Sequence, residues 1–284
     1  MKFLDIFSGI GGFRIGMEMA GHKCVGHIEW DKFAQKSYMA MHDVKESEFI
    51  GRDIKKVRAD ELPRADCWCF GFPCQDISIA GKQEGFAGHR SSLFFAVTRL
   101  IRDLEEENRP SILFIENVKN LLSINRGGDF LKLLIELDEI GYDAEWQVLN
   151  SKDFGVPQSR ERVFVVGHFR GRGGRKVFPI TIQDTKNNIE VVGFLRESKI
   201  KDRVRILSVN GIGQALRATD YKDPVKIYDD GKVRRLTPKE YFRQQGISDK
   251  YFYRAAKVNS DSQLYKQAGN MVTVNVIYEI AKRL

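Results

Sequence analysis

Cysteine is scarce in this sequence: four in 284 residues, Cys24, Cys67, Cys69 and Cys74. That excludes a disulfide-built scaffold, and no second cysteine pair stands at zinc-finger spacing from Cys67 and Cys69. Placed two apart in an apolar run, those two read as core residues of a strand, and no metal site is expected. No apolar stretch approaches the roughly 20 residues needed to span a bilayer. The opening "MKFLDIFSGIGGF" is interrupted by Asp5 and runs at once into glycines, so it does not read as a secretory signal. The reading is therefore a cytoplasmic chain with reduced thiols. Internal repeats and low-complexity tracts are missing as well, which leaves one large domain or one domain with a small appendage.

Apolar residues make up 42% of the chain and aromatics 11%, enough for a sizeable core. A net charge of +8 and a pI near 9.2 suit a polyanionic partner. Charge alone fits a merely basic enzyme equally well.

The first half alternates between strand and helix patterns. "KFLDIF", "KCVGHIEW", "ADCWCF", "SILFIEN", "AEWQVLN" and "RVFVVGHF" read as strands. Between them, "FRIGMEMAG", "KFAQKSYMAMH", a segment from Ser91 with Leu93, Phe94, Val97, Leu100, Ile101 and Leu104 on one face, and "FLKLLIELDEIG" read as helices. Such alternation predicts an α/β fold with a doubly wound, mostly parallel sheet. After Phe169 the character changes. "RGRGGRKVF" is a basic, glycine-rich linker, and up to about Val233 only short strands such as "IEVVGFL" and "VRILSVNGIG" are legible, as in a small β-rich insert. "LTPKEYFRQQG" predicts a helix capped by Thr237 with Pro238 at its first position. "NMVTVNVIYEIAKRL" predicts one apolar C-terminal helix.

In "DIFSGIGGF", Gly9, Gly11 and Gly12 fall on the first strand-to-helix turn, where glycines admit a ligand to backbone N–H groups. Glu29 ends the second strand, at the spacing of an acid that holds ribose hydroxyls. Trp30 beside it suits adenine stacking, and Asp53 after a third strand could receive the adenine amino group. Taken singly these are a tight turn and surface carboxylates; in strand order they point to an adenosine-type cofactor. Spacing does not separate a dinucleotide from S-adenosylmethionine. Cys74, in "GFPCQDIS", lies just past the end of one strand, and Glu116 ends the next. In a doubly wound sheet both fall on the ligand-binding edge beside Gly9. Cys74 could be an inert small hydrophobe and Glu116 a buried acid paired with a base, but their convergence favours chemistry.

With "ENV" at 116–118 and "QSRERVF" at 158–164 added, the chain resembles the C5-cytosine DNA methyltransferases of bacteria and their phages. The resemblance runs nearly full length and includes "DIFSGIGGF", "GFPCQDIS", "RRLTPKEYFRQQG" and "QAGNMVTVNVI", in order. It implies a class I methyltransferase fold with a small target-recognition domain, S-adenosylmethionine as cofactor and double-stranded DNA as partner. Cys74 then matches the thiolate that adds to C6 of a flipped cytosine, Glu116 the acid at N3, and Arg160 and Arg162 the arginines of that pocket. Phe7, Gly9, Gly11, Glu29, Trp30, Asp53, Ile54, Pro73, Leu93, Asn270 and Val272 match cofactor positions. Gln75, Ser78, Lys82 and Arg90 belong to a glycine-rich loop that by resemblance closes over DNA. Arg203, Arg205, Gln214 and Arg217, with Asn210 and Thr219, are the candidate DNA contacts of the variable region. The sequence departs from the family at Ala80, Met271 and Ala215, which touches DNA contacts more than chemistry.

The expected division is a catalytic and cofactor-binding domain of residues 1–169 plus 266–284 and a recognition domain with its hinge at 170–265. A monomer is expected, with a cognate restriction endonuclease as a possible companion in the same system. Three rival readings fit the sequence less well. An RNA methyltransferase of the tRNA-modifying branch would carry a Cys-Phe-Thr motif, which is absent. A non-catalytic DNA-binding regulator would not need Cys74, Glu116, Arg160 and Arg162 together. A dinucleotide oxidoreductase would carry GxGxxG.

Overall fold

A computed structural model of the chain describes residues 1–72, 93–172, 174–181, 188–197 and 204–284. Seven strands form one sheet in the order β3-β2-β1-β4-β5-β8-β6. They are β1 (Lys2–Ile6), β2 (Lys23–Ile28), β3 (Phe49–Gly51), β4 (Cys67–Gly71), β5 (Ile112–Val118), β6 (Tyr142–Asn150) and β8 (Glu161–Phe169). Only β8 opposes its neighbours; it is antiparallel to both β5 and β6. The short β7 (Gln158–Ser159) lies just before it. β4 and β5 are buried almost throughout because helices cover both faces of the sheet.

On one face α1 (Gly12–Met19) and α8 (Val274–Ala281) bury Phe13, Met17, Val276, Ile277 and Ile280 against Phe3, Cys67, Cys69 and Phe114. The two helices meet closely at Gly16, where a Cβ would lie 2.7 Å from Ile277. On the other face α3 (Leu93–Asp103) and α4 (Gly128–Glu139) bury Phe94, Val97, Leu100, Leu133 and Leu137 against Leu4, Ile6, Trp68 and Phe70. α2 (Lys32–Met41) starts on Asp31, whose carboxylate accepts the Phe33 and Ala34 amides.

A separate four-stranded sheet, in the order β13-β12-β10-β9, is built from β9 (Val191–Phe194), β10 (Arg205–Ser208), β12 (Lys226–Asp229) and β13 (Lys232–Arg235). β11 (Gly213–Gln214) leaves it to pair in parallel with β7. Beyond it come α5 (Pro238–Gln244), with the expected Thr237–Glu240 capping box, then α6 (Asp249–Ala256) and α7 (Asp261–Asn270). These helices pack on the first lobe: Tyr241, Phe242, Ala255, Leu264 and Ala268 share a core with Ile10, Ile15, Ala34 and Met41.

The C-terminal stretch is not one helix. α7 ends at Asn270, residues 271–273 are extended, and α8 restarts at Val274. The break is held by hydrogen bonds: Met271 O accepts from Arg160, Thr273 Oγ1 donates to Gln245 Oε1, and the Val274 amide donates to Gln245 O. No described helix is long and apolar enough to cross a membrane.

Candidate active site

The carboxyl ends of β1, β2 and β3 are tied together. After β1 the backbone turns through positive φ at Phe7, Gly9 and Gly11. Gly11 must lack a side chain, since a Cβ would sit 2.1 Å from His42 Nε2. The Gly9 amide donates to Glu29 Oε2 at 2.7 Å and the Asp31 amide to Glu29 Oε1 at 2.6 Å. Burial raises the Glu29 pKa, and these amide bonds oppose the rise. Above β3 lies a cleft of about 630 Å³ whose lining includes Trp30, Gly51, Arg52, Asp53 and Lys56. The Trp30 indole is 71% exposed at its mouth, which is unusual for so large an apolar ring.

The other cofactor candidates divide. Phe7 and Leu93 pack partly buried against the sheet core, and Ile54 is wholly within it. Val272 is buried over Gly12, whose missing Cβ makes room for it, and Asn270 ends α7 exposed. Pro73 lies outside the described residues. An adenosine group fits this edge. Its ring needs an exposed aromatic face beside a carboxylate, as Trp30 and Asp53 provide, and the space where a Gly9 Cβ would stand is open.

Glu116 and Gly71 are register partners in the parallel β4–β5 pair, and a Cβ at Gly71 would crowd Glu116 Oε2 at 3.0 Å. Arg162 Nε lies 3.0 Å from Glu116 Oε1. Asn117 Nδ2 donates to Phe72 O at 2.8 Å, which fixes the end of the strand leading to position 73. Cys74, Gln75, Ser78, Lys82 and Arg90 lie outside the described residues, as does Arg203.

Arg160 does not join Glu116 in the way Arg162 does. Its guanidinium is buried and donates to the carbonyls of Leu216, Gly269 and Met271. Burial first, then the neighbouring Arg162 charge, pulls its pKa down to about 9, with Glu116 opposing. Gln214 is buried in β11, and Arg217 is tied to Asp220 at 3.1 Å. Arg205 is half-buried in β10; Asn210 and Thr219 are exposed.

Two residues not singled out from the sequence emerge. Asn117 sits in the quoted "ENV" without a role given, and Gln158 opens "QSRERVF". Gln158 is fully buried and bonds Leu216 N, Gln244 O and Gln245 Oε1. Its place at the head of the alternating run Gln158, Arg160, Arg162 was the available signal. Among the described residues no group of three or more His, Cys, Asp and Glu could hold a metal.

The chain resembles solved methyltransferases over its whole length. It superimposes on Dnmt2 methyltransferase of S. pombe with a TM-score of 0.76 at 19% identity, covering 99% of this chain and 97% of that one. On a putative DNA modification methyltransferase from an E. coli prophage the TM-score is 0.68 at 18% identity, covering 99% and 97%. The mostly parallel seven-stranded sheet with its helices is that of a class I S-adenosylmethionine-dependent methyltransferase fold. In sequence it is 34% identical to Type II methyltransferase M.HhaI of Haemophilus parahaemolyticus, over 99% of this chain and 93% of that one. It is 33% identical to Type II methyltransferase M.DsaV of Dactylococcopsis salina, over 100% and 86%. The family model for C-5 cytosine-specific DNA methylase matches residues 1–210 and 175–284, and the chain belongs to that family. It is a DNA (cytosine-5-)-methyltransferase that uses S-adenosylmethionine.

Proposed function

We propose that Cys74, Glu116 and Arg162 perform the chemistry, with the strand ends of β4, β5 and β8 as their mount. C5 of cytosine is a weak nucleophile until a thiolate adds to C6. The Cys74 thiolate forms that bond while a proton passes to N3 by way of the Glu116 carboxyl group, so the ring becomes an enamine with its nucleophilic carbon at C5. Bound S-adenosylmethionine supplies an electrophilic methyl group to C5. A base then takes the C5 proton, the C6–sulfur bond breaks, the thiolate leaves, and the N3 proton returns to Glu116. Arg162 holds the glutamate and places positive charge beside the adduct. The target base lies inside a duplex, so it must be flipped out to reach these groups.

The observation that carries this reading is the 3.0 Å Arg162–Glu116 pair at the carboxyl edge, in register with Gly71, three residues before Cys74. On the cofactor side, Gly9, Glu29, Trp30 and Asp53 take the adenosine part. Arg160 is assigned a positioning role, because both of its terminal nitrogens are engaged by backbone carbonyls. We further propose that residues 170–265 choose the DNA sequence and its hinge geometry, that the enzyme works as a monomer in the cytoplasm, and that it protects DNA within a restriction–modification system. The Type II names of its relatives support that setting. The test is transfer of a tritiated methyl group to duplex DNA against tRNA, followed by mapping of the methylated cytosines. Label on tRNA alone would overturn the reading.

A further inference from the structure

Gln158, Arg160 and Arg162 alternate along the run from β7 into β8. Gln158 Oε1 accepts the Leu216 amide at 3.0 Å, and Arg160 Nη1 donates to Leu216 O at 3.0 Å. One residue of the variable region, Leu216, is thus gripped at both its N–H and its C=O from the run that joins β7 to β8. The same two side chains reach on to Gln244 O at 2.9 Å and Met271 O at 3.1 Å. Behind this segment Gly269 leaves no gap; a Cβ there would lie 2.2 Å from the Arg217 carbonyl carbon. Two residues further along, Arg162 meets Glu116.

A buried guanidinium that bonds carbonyls through its two terminal nitrogens while its Nε stays unpaired, and a fully buried amide, are expensive ways to join two parts of a protein. Apolar packing would hold them as firmly. What directional bonds add is a single register, because any slip of the segment leaves several buried groups unpaired. We infer that Gln158, Arg160 and Gly269 are positioning residues that seat segment 213–217 in one register on β7 and the residues that lead from it to Arg162, so that sequence discrimination is expressed in turnover as well as in binding. DNA that does not match displaces the segment, and the displaced segment moves Arg162 relative to Glu116. The inference rests on the assignment of Glu116 and Arg162 to the base pocket given above.

The experiment uses the full chain carrying Gln158→Leu, Gly269→Ala or Arg160→Lys. Single-turnover methylation and DNA affinity are measured on the cognate duplex and on duplexes with one base pair changed. Cofactor binding and thermal melting report the folded fraction. The cognate-to-changed rate ratio should fall on the order of tenfold, the usual scale of coupling between sites. Most of that fall should come from a slower rate on cognate DNA at little-changed affinity. A wild-type ratio and rate in any of the folded variants overturns the inference, whatever the melting temperature, and Arg160→Lys, which keeps the charge, decides if Gln158→Leu or Gly269→Ala does not fold. Full turnover by Glu116→Gln would instead remove the base-pocket assignment, which is a separate failure.

Discussion

Arg162 Nε stands 3.0 Å from Glu116 Oε1 across the antiparallel β5–β8 pair. The pair is 18% and 12% exposed at its two side chains, buried enough for the charges to orient each other and open enough to be reached. A carboxylate held in this way can present its second oxygen to a base edge. Replacing Glu116 by Gln keeps the shape and removes the transferable proton. The methylation rate should fall by roughly 10²–10⁴-fold, as for loss of a general acid, with cofactor affinity unchanged. Near-wild-type turnover at saturating DNA would make the glutamate structural.

The four cysteines should behave very differently toward reagents. Cys24, Cys67 and Cys69 are buried. Burial pushes the Cys24 thiol up to about 12 and the Cys69 thiol well above its ordinary value. A thiol of that kind is inert at neutral pH. Iodoacetamide on the native protein should therefore label one cysteine, Cys74, and DNA containing 5-fluorocytosine should trap the protein through the same residue. A peptide adduct at Cys24, Cys67 or Cys69 would overturn the assignment, and Cys74→Ser should abolish both turnover and trapping.

Trp30 offers its ring to the cleft above β3 while contributing little to the core, being 71% exposed. Trp30→Ala should leave the melting temperature nearly unchanged and weaken S-adenosylmethionine binding by roughly tenfold or more, the scale of losing one stacked base. Calorimetric titration of cofactor measures this. Unchanged affinity would mean that the adenine lies elsewhere.

Two buried histidines predict acid sensitivity. His42 is pulled down to about 3 and His27 to about 4, in each case mainly by burial, with Arg14 also lowering them. Both are neutral in the native state, where His42 Nε2 donates to Ile10 O and His27 meets Gln35. In the unfolded chain each would titrate near 6.5. The unfolded state therefore binds more protons below that value, and stability is full above it and falls as pH drops toward 4. The loss should be roughly 1 kcal/mol per histidine at pH 5.5. Urea midpoints at pH 7.5 and 5.5 test it; equal midpoints would contradict it, and His42→Gln should flatten the dependence.

The strands and helices of the first lobe were legible because each carries its own periodicity, as in Leu93 to Leu104. The reversal of β8 was not. A strand buried on both faces reads the same in either direction, and "RVFVVGHF" has no mark of its orientation. α7 was also hidden: it buries Leu264, Gln267, Ala268 and Gly269, a face too small and polar to show as an apolar stripe. Arg160 and Arg162 illustrate the limit at the site. Two arginines two residues apart look alike in sequence, and only the packing of 216 and 269–271 against the first decides which one remains for Glu116.

The last prediction concerns which part of 170–265 can be exchanged. The four-stranded sheet ends at Arg235, and α5 to α7 follow. Those helices are bound to the first lobe by more than apolar contact. Asn259 Nδ2 donates to Phe33 O at 2.8 Å, Arg254 Nη1 to Met41 O at 2.9 Å, and Gln158 Nε2 to Gln245 Oε1 at 3.2 Å. Gln245 adds a buried bond to Ala268 O. Cutting through this set would leave polar groups buried without partners, at about 1–3 kcal/mol each. A graft of residues 188–235 from a relative with a different target should therefore fold and methylate the donor's site, whereas a graft of the whole of 170–265 should be markedly less stable. Within the shorter graft, exchanging a base-reading side chain should cost roughly 1–3 kcal/mol of discrimination. Exchanging a phosphate-binding one should weaken all sequences alike and flatten the salt dependence. Sequencing of methylated products together with thermal melts of both chimeras decides it. A folded short chimera that still methylates the parental site would place specificity outside the sheet, and a long chimera as stable as the parent would show that α5 to α7 travel with it.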